Sequence, residues 1–298
     1  MISLIKYYSQ LLKFRLSLTV VISASAGYLI GVTNFQINEF LLLIAGGFLV
    51  TGSANGFNQI LEKDYDGLMR RTEDRPLPKK QLNSKSAVLF SFLIGVIGLY
   101  LLSLIKPHGS FYGYLSKSSA FGLLSLMIYV LSYTPLKRMS TVSIFVGAIP
   151  GAIPVMLGWV AATNQFGLAV GILFAIQFLW QFPHFISIAW IRDDEYKKAG
   201  FKMMYGGKKG VYPAYISFIC AILMTLVSIL PFFIDLKILS LSIFGFIIIL
   251  SLGLWFVSNC YNLLIKLDNM SAKKLMMSSL IYLPLMQLVY VIDKWVFM

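Results

Sequence analysis

The sequence predicts an all-α polytopic membrane protein, nine transmembrane helices around a central cavity that opens toward the cytoplasmic side. Three observations predict it: composition, nine long apolar stretches, and a one-sided distribution of basic residues. Of 298 residues, 58% are hydrophobic, 15% aromatic and only 12% charged, with a mean hydropathy of +0.79. A water-soluble domain carries about a quarter charged residues, so a soluble globular fold is excluded. The aromatic content and the scarcity of carboxylates exclude disorder, because such a chain can bury ample apolar surface.

A helix needs roughly 20 mostly apolar residues to cross a bilayer. Such stretches lie at about 16–34, 39–60, 86–105, 118–136, 141–162, 167–190, 211–234, 236–258 and 275–297. The first is too long for the apolar core of a signal peptide and lacks a small-residue cleavage pattern. With loops alternating between the two sides, 21 of the 25 basic residues fall on the side of the N-terminus. They include Lys6, Lys13 and Arg15, the run from Lys63 to Lys85, Lys137 with Arg138, and the run from Arg192 to Lys209. Lys106, Lys117, Lys237 and Lys294 are left for the other face. Basic residues crowd into cytoplasmic loops, so the N-terminus is expected inside and the C-terminus outside. Orientation in a lipid bilayer accounts for the net charge of +13, and no nucleic-acid partner is required. No Gly/Ser-rich linker divides the chain, which reads as a single integral-membrane domain, 1–298. The absence of an Arg/Ser-rich leader favours a bacterial-type cytoplasmic (inner) cell membrane. Cys220 and Cys260 lie in or at the end of apolar stretches and read as packing residues. His108 reads as an ordinary loop residue on the outer side.

Eight of the twelve carboxylates cluster after the second and sixth spans. Both spans run inward, so both clusters are expected at the cytoplasmic mouth. Asn58, Glu62 and Asp66 are spaced i, i+4, i+8 and form one stripe on a helix. The preceding turns are polar for a span, with Thr51, Ser53, Asn55 and Gln59, and are expected to face a cavity rather than lipid. Oxygen ligands of this kind suit Mg²⁺, which takes one or two carboxylates plus substrate phosphates. Arg70, Arg71, Arg75, Lys79 and Lys80 stand beside them and are suited to phosphate oxygens. A solvated loop with internal ion pairs is the competing reading. The second cluster, Asp193-Asp194-Glu195, precedes Lys197, Lys198 and Lys202, and two such clusters resemble a two-metal diphosphate clamp. Tyr133 and Lys137, at the inner end of the fourth span, share a face if the helix continues past Pro135. An ion-coupled transporter would instead place charge near the midplane at broken helices.

The sixth span carries a second polar stripe, Gln177, Gln181 and His184, with Pro183 expected to kink it. A polar stripe at this depth is expected to line a cavity. A helix-to-helix hydrogen bond is the alternative for His184. The fifth span holds Gly147-Ala-Ile-Pro150-Gly151-Ala-Ile-Pro154, a small-residue segment read as a close-packing surface.

Asn58-Gln-Ile-Leu-Glu62-Lys-Asp-Tyr-Asp66, followed by Met69, Arg71-Thr72 and Arg75-Pro-Leu-Pro78, resembles the first motif of UbiA-type intramembrane prenyltransferases, in particular the protoheme IX farnesyltransferase branch. Tyr133 and Lys137 resemble that superfamily's Tyr-x-x-x-Lys element. Trp180-Gln-Phe-Pro-His184-Phe and Asp194-Glu195-Tyr196-Lys-Lys-Ala-Gly200 resemble the same branch's second signature. Glu62 stands where many superfamily members have Asp, and a full Asp-x-x-x-Asp is missing from the second cluster. Which of Asp193, Asp194 and Glu195 binds metal is therefore open. The resemblance implies transfer of farnesyl from farnesyl diphosphate to a vinyl group of heme b, with addition of water. It implies Mg²⁺ as cofactor, held by Glu62, Asp66 and one or more of Asp193, Asp194 and Glu195, and heme b as substrate. Asn58, Tyr133 and Lys137 would complete the catalytic set. Arg71, Arg75 and Lys198 would hold the diphosphate, while Gln181 and His184 would meet the acceptor, His184 through the iron or a propionate. A sibling acceptor would change only the acceptor pocket. Downstream partners implied are a heme A synthase or terminal-oxidase assembly proteins.

Overall fold

The computed structural model describes residues 2–106, 115–234 and 236–297, so His108 lies outside the described residues. A short helix, α1 (Ile2–Leu11), leads into α2 (Phe14–Gly31), α3 (Ile37–Asp66) and α4 (Ser84–Ser103). A rod of α5 (Lys117–Met127), a π-helical turn (Ile128–Tyr133) and α6 (Thr134–Met139) follows, then α7 (Ser143–Thr163), α8 (Leu168–Ile191) and the short α9 (Asp193–Lys198). The chain ends in α10 (Val211–Phe233), α11 (Ile243–Lys266) and α12 (Asn269–Phe297). Among the described residues, nine helices are long and apolar enough to cross a membrane, counting the α5–α6 rod as one. The composition-based expectation of a polytopic helical membrane protein is met.

Several helices depart from the hydropathy edges, among them α12, which begins at Asn269 rather than 275, and two of the departures bear on the site and its packing. α3 continues six residues beyond the expected end, to Asp66, so the acid stripe sits on a helix rather than in a loop. α11 starts at Ile243 instead of 236, because Ser242 caps it and accepts from the Gly245 N–H. Asp293 on α12 fixes that cap, accepting from the Ser242 backbone N–H at 2.7 Å and from its hydroxyl.

α7 is the central helix, with 78% of its most apolar window buried. Its small-residue segments let neighbouring backbones approach. A Cβ at Gly158 would fall 1.8 Å from the Ala24 carbonyl oxygen, and one at Gly27 would fall 2.0 Å from that of Val155. Only glycine permits this α2–α7 contact. Pro154 has no N–H for the Pro150 carbonyl, and the Ser125 hydroxyl donates to that carbonyl instead, at 3.3 Å.

The rod through α5 and α6 resolves the question posed by Pro135. The Thr134 N–H bonds the Tyr129 carbonyl, five residues back. This wider turn accommodates the proline, whose ring would otherwise clash with the preceding turn. The helix therefore continues, and Tyr133 and Lys137 stay on one face.

At the end of the molecule opposite the acid stripe, lysines complete helix C-termini. Lys294 donates to the carbonyls of Ile30 at 2.7 Å and Val32 at 2.5 Å. Lys117 donates to Asn164 O at 2.7 Å, and Lys106 donates to Ala162 O. Unpaired carbonyls and the negative pole of the helix dipole make such positions favourable for cations. Three of the four basic residues that the charge asymmetry leaves on this side thus have a structural use.

Candidate active site

A cavity of about 510 Å³ lies between α2, α3, α5, α7, α8 and α12. Its lining is charged at one end, where Lys13, Asn58, Glu62, Asp66, Arg71, Arg75 and Lys137 converge with Tyr129 and Tyr133. Elsewhere the wall is mostly apolar, interrupted by Gln177, Gln181, His184 and Gln287.

The i, i+4, i+8 stripe on α3 faces this charged end, and Asn58, Glu62 and Asp66 are all buried. Each is held by a cation or hydroxyl from another segment. Lys137 Nζ lies 2.8 Å from Glu62 Oε1 and 4.5 Å from the centroid of the Tyr133 ring. Arg75 reaches Asp66 Oδ2 at 2.6 Å. Lys13 donates to Asn58 Oδ1 at 3.0 Å, and Asn58 Nδ2 donates to the Thr134 hydroxyl at 3.1 Å. Thr72 closes the loop after α3 by donating to the Asp66 carbonyl at 2.8 Å. Charges this deep require partners, and the segment from Asp66 to Arg75 folds back to supply one.

Lys13 is the member of this group that sequence reasoning missed, since it counted there only as a topology charge. It occupies a left-handed conformation, φ 46° and ψ 57°, immediately before α2. Burial, then the nearby Arg75 and Lys137 charges, push its ammonium down to about 7. No spacing rule points to it, because the contact with Asn58 spans 45 residues. Tyr129 was also missed, although its position four before Tyr133 was a usable signal; the two rings are 5.2 Å apart. The polar turns before Asn58 divide: Thr51 and Asn55 line the cavity. Ser53 and Gln59 instead satisfy backbone carbonyls, Ser53 that of Ser91 on α4 and Gln59 those of Gln10 and Leu11 at the end of α1.

The second acid cluster does not line the main cavity. Asp193, Asp194, Glu195 and Lys198 are absent from the lining of the main cavity. Asp193 pairs with Lys197 one turn on, at 2.7 Å, and Glu195 with Arg192 at 3.4 Å. Asp194 and Lys198 are exposed. Arg192, with φ −105° and ψ 15°, separates α8 from α9, and Tyr196 is the α9 residue that reaches the main cavity. Asp193 lines a separate pocket of about 290 Å³, and Tyr196 touches both spaces. Among the described residues, no group of three or more His, Cys, Asp or Glu side chains is placed to share a metal ion. Of the three acids, Glu195 keeps one buried oxygen, Oε2, without a hydrogen-bond partner.

The second polar stripe separates into two roles. Gln177 and Gln181 donate to the α7 carbonyls of Gly151 and Ala148, each at 2.8 Å. His184 Nδ1 lies 2.8 Å from the Ser279 hydroxyl on α12, and its ring stacks on Trp180 at 4.7 Å. α8 runs unbroken through Pro183.

Comparison with known proteins agrees with this architecture. Residues 20–281 match the UbiA prenyltransferase family. A protoheme IX farnesyltransferase of Flavobacterium psychrophilum is 40% identical over 98% of this chain and 96% of its own length. One from Christiangramia forsetii is 41% identical over 99% and 95%, and the human mitochondrial enzyme of that name is 31% identical over 96% and 62%. A digeranylgeranylglyceryl phosphate synthase structure superposes with a TM-score of 0.79 at 22% identity, covering 97% of this chain and 98% of its own. An Archaeoglobus fulgidus UbiA homologue bound to dimethylallyl diphosphate (DMAPP) and Mg²⁺ gives 0.69 at 15% identity, covering 96% and 99%. The motifs, the nine helices and these full-length relatives have one explanation: the chain belongs to the UbiA prenyltransferase family, in the branch of the protoheme IX farnesyltransferases.

Proposed function

We propose that this protein transfers the farnesyl group of farnesyl diphosphate to a vinyl group of heme b and adds water, releasing heme O and diphosphate. The observation that carries the site assignment is the buried Asn58–Glu62–Asp66 stripe, flanked by Lys13, Arg75 and Lys137, at the charged end of an otherwise apolar cavity. The named relatives support the choice of acceptor.

The donor set fits a hard divalent cation: Asn58, Glu62 and Asp66 present oxygens on one helix face, the ligand type Mg²⁺ prefers. Asn58, Glu62 and Asp66 would hold such a metal, which would supply positive charge against the departing diphosphate. Arg71, Arg75, Lys13 and Lys137 place cations around the same space and stabilise the leaving group where its charge grows. Tyr129 and Tyr133 form the boundary between charged end and apolar wall, where an allylic cation meets aromatic faces. The apolar wall excludes water from the farnesyl carbon. Gln181 and His184 line the same cavity away from the ion pairs, on the side assigned to the heme. The basic-residue asymmetry supports a cytoplasmic-membrane orientation with the N-terminus and the charged end inside, and heme O would pass to downstream oxidase-assembly enzymes.

The test is product analysis by mass spectrometry with purified protein, heme b, farnesyl diphosphate and Mg²⁺. Wild type is expected to give farnesylated, hydrated heme, and Asp66→Asn or withdrawal of divalent metal is expected to abolish it. Farnesyl diphosphate consumption with another acceptor but never with heme b would overturn the acceptor.

A further inference from the structure

The reaction proposed above ends with a step that needs a proton acceptor at the heme side of the cavity. After the vinyl group attacks farnesyl C1, a carbon–carbon bond has formed and the positive charge sits on the vinyl carbon next to the porphyrin ring. Water forms a carbon–oxygen bond there, and the resulting oxonium must lose a proton. The cavity carboxylates are already engaged, Glu62 with Lys137 and Asp66 with Arg75.

The amide N–H groups of the two glutamines beside His184 are tied to carbonyls. Gln181 donates to Ala148 O and Gln177 O. Gln177 donates to Gly151 O and accepts from Gln287, at 3.0 Å. His184 differs. The Ser279 hydroxyl donates to the Met276 carbonyl at 2.6 Å, so its lone pair remains for the imidazole and the proton of the neutral ring belongs on Nδ1. Trp180 stacks on that ring, 15° from parallel, while donating its own N–H to the Ser279 carbonyl at 2.9 Å. The ring is thus clamped, with Nδ1 directed at α12 and no hydrogen bond to Nε2 among the described residues, in a side chain that lines the cavity.

We infer that His184 Nε2 accepts the proton of the water that adds to the heme vinyl carbon, and that Ser279 is the positioning residue that keeps the lone pair on Nε2. This rests on the farnesyl-transfer reading. One water is consumed, one C–O bond forms, the proton moves to Nε2 and returns to solvent after product release. Without an acceptor for the water's proton, the cation instead loses a proton from the adjacent carbon and yields an alkene lighter than heme O by one water.

The ratio of hydrated to unhydrated farnesyl heme is therefore the readout, measured by mass spectrometry on the full chain with heme b, farnesyl diphosphate and Mg²⁺. His184→Leu is expected to lower that ratio at least about 100-fold, the low end of what general bases contribute. Ser279→Ala, a milder change, is expected to lower it by a smaller factor, which a purely structural serine would not do. An unchanged ratio in both variants overturns the inference, as does an unchanged ratio in Ser279→Ala if His184→Leu does not fold. A shifted heme absorption band with the ratio preserved in His184→Leu also overturns it and makes His184 an iron ligand. Absence of farnesyl heme from the wild type overturns the transfer reading itself, a result distinguishable from all of these.

Discussion

The two acid clusters look alike in the chain, yet they end up in different physical situations. Each follows a long apolar helix and stands beside lysines and arginines. Glu62 and Asp66 are buried, and their partners come from α6 and from the loop after α3. The Asp193–Glu195 cluster pairs within its own turn, at i+4 for Asp193 and three residues back for Glu195. Exposed pairs of that local kind contribute little, whereas a buried carboxylate paired across the fold is costly to disturb. Composition beside a membrane mouth thus identifies candidate sites, and long-range pairing ranks them.

The sharpest way to break this contrast is Asp66→Asn, which keeps the shape and removes the charge beside Arg75. It is expected to lower kcat by about 10³-fold, the upper range for removing one electrostatic contributor to a transition state, as read in steady-state heme farnesylation. Next is a double-mutant cycle on Glu62→Gln and Lys137→Met. Each single change leaves a buried charge without its partner, at about 3–5 kcal/mol of stability, so the double variant should lose less than the sum. Thermal or denaturant unfolding in detergent checks this, and strict additivity would mean the pair is not coupled in solution.

Lys13 offers a pH test. Its ammonium, pushed down to about 7 by burial and by Arg75 and Lys137, is charged below that pH and neutral above it. If the charged form binds diphosphate, kcat/KM for farnesyl diphosphate falls as pH rises through about 7, a limb that Lys13→Arg should remove because arginine stays protonated. A profile identical in wild type and variant would sink the assignment. The smallest effect is expected for Asp193→Asn and Lys197→Ala, less than about threefold in kcat/KM, since their pair is local and half in solvent. A loss as large as that of Asp66→Asn would erase the distinction between the clusters.

Much of the site was legible because its parts are periodic. Helical spacing alone placed Asn58, Glu62 and Asp66 on one face, and Tyr133 with Lys137 on another. The same periodicity misled for Ser53 and Gln59: it marks a polar face, but not whether that face meets a cavity or a neighbouring helix with unsatisfied carbonyls. It also could not foresee that Asp193 and Glu195 would pair within their own turn and stay out of the lining of the main cavity. Lys13 and Ser279 were invisible, because their partners lie 45 and 95 residues away.

What the sequence alone determined is the solvent and the local geometry. A chain with this little charge must put its apolar length into lipid, lipid demands helices, and helices impose their period on every polar residue they carry. Only the tertiary structure decided which oxygen meets which cation, and that Nδ1 of His184 meets Ser279. Those outcomes depend on helices far apart in the chain packing to within hydrogen-bond distance, a property no single helix encodes.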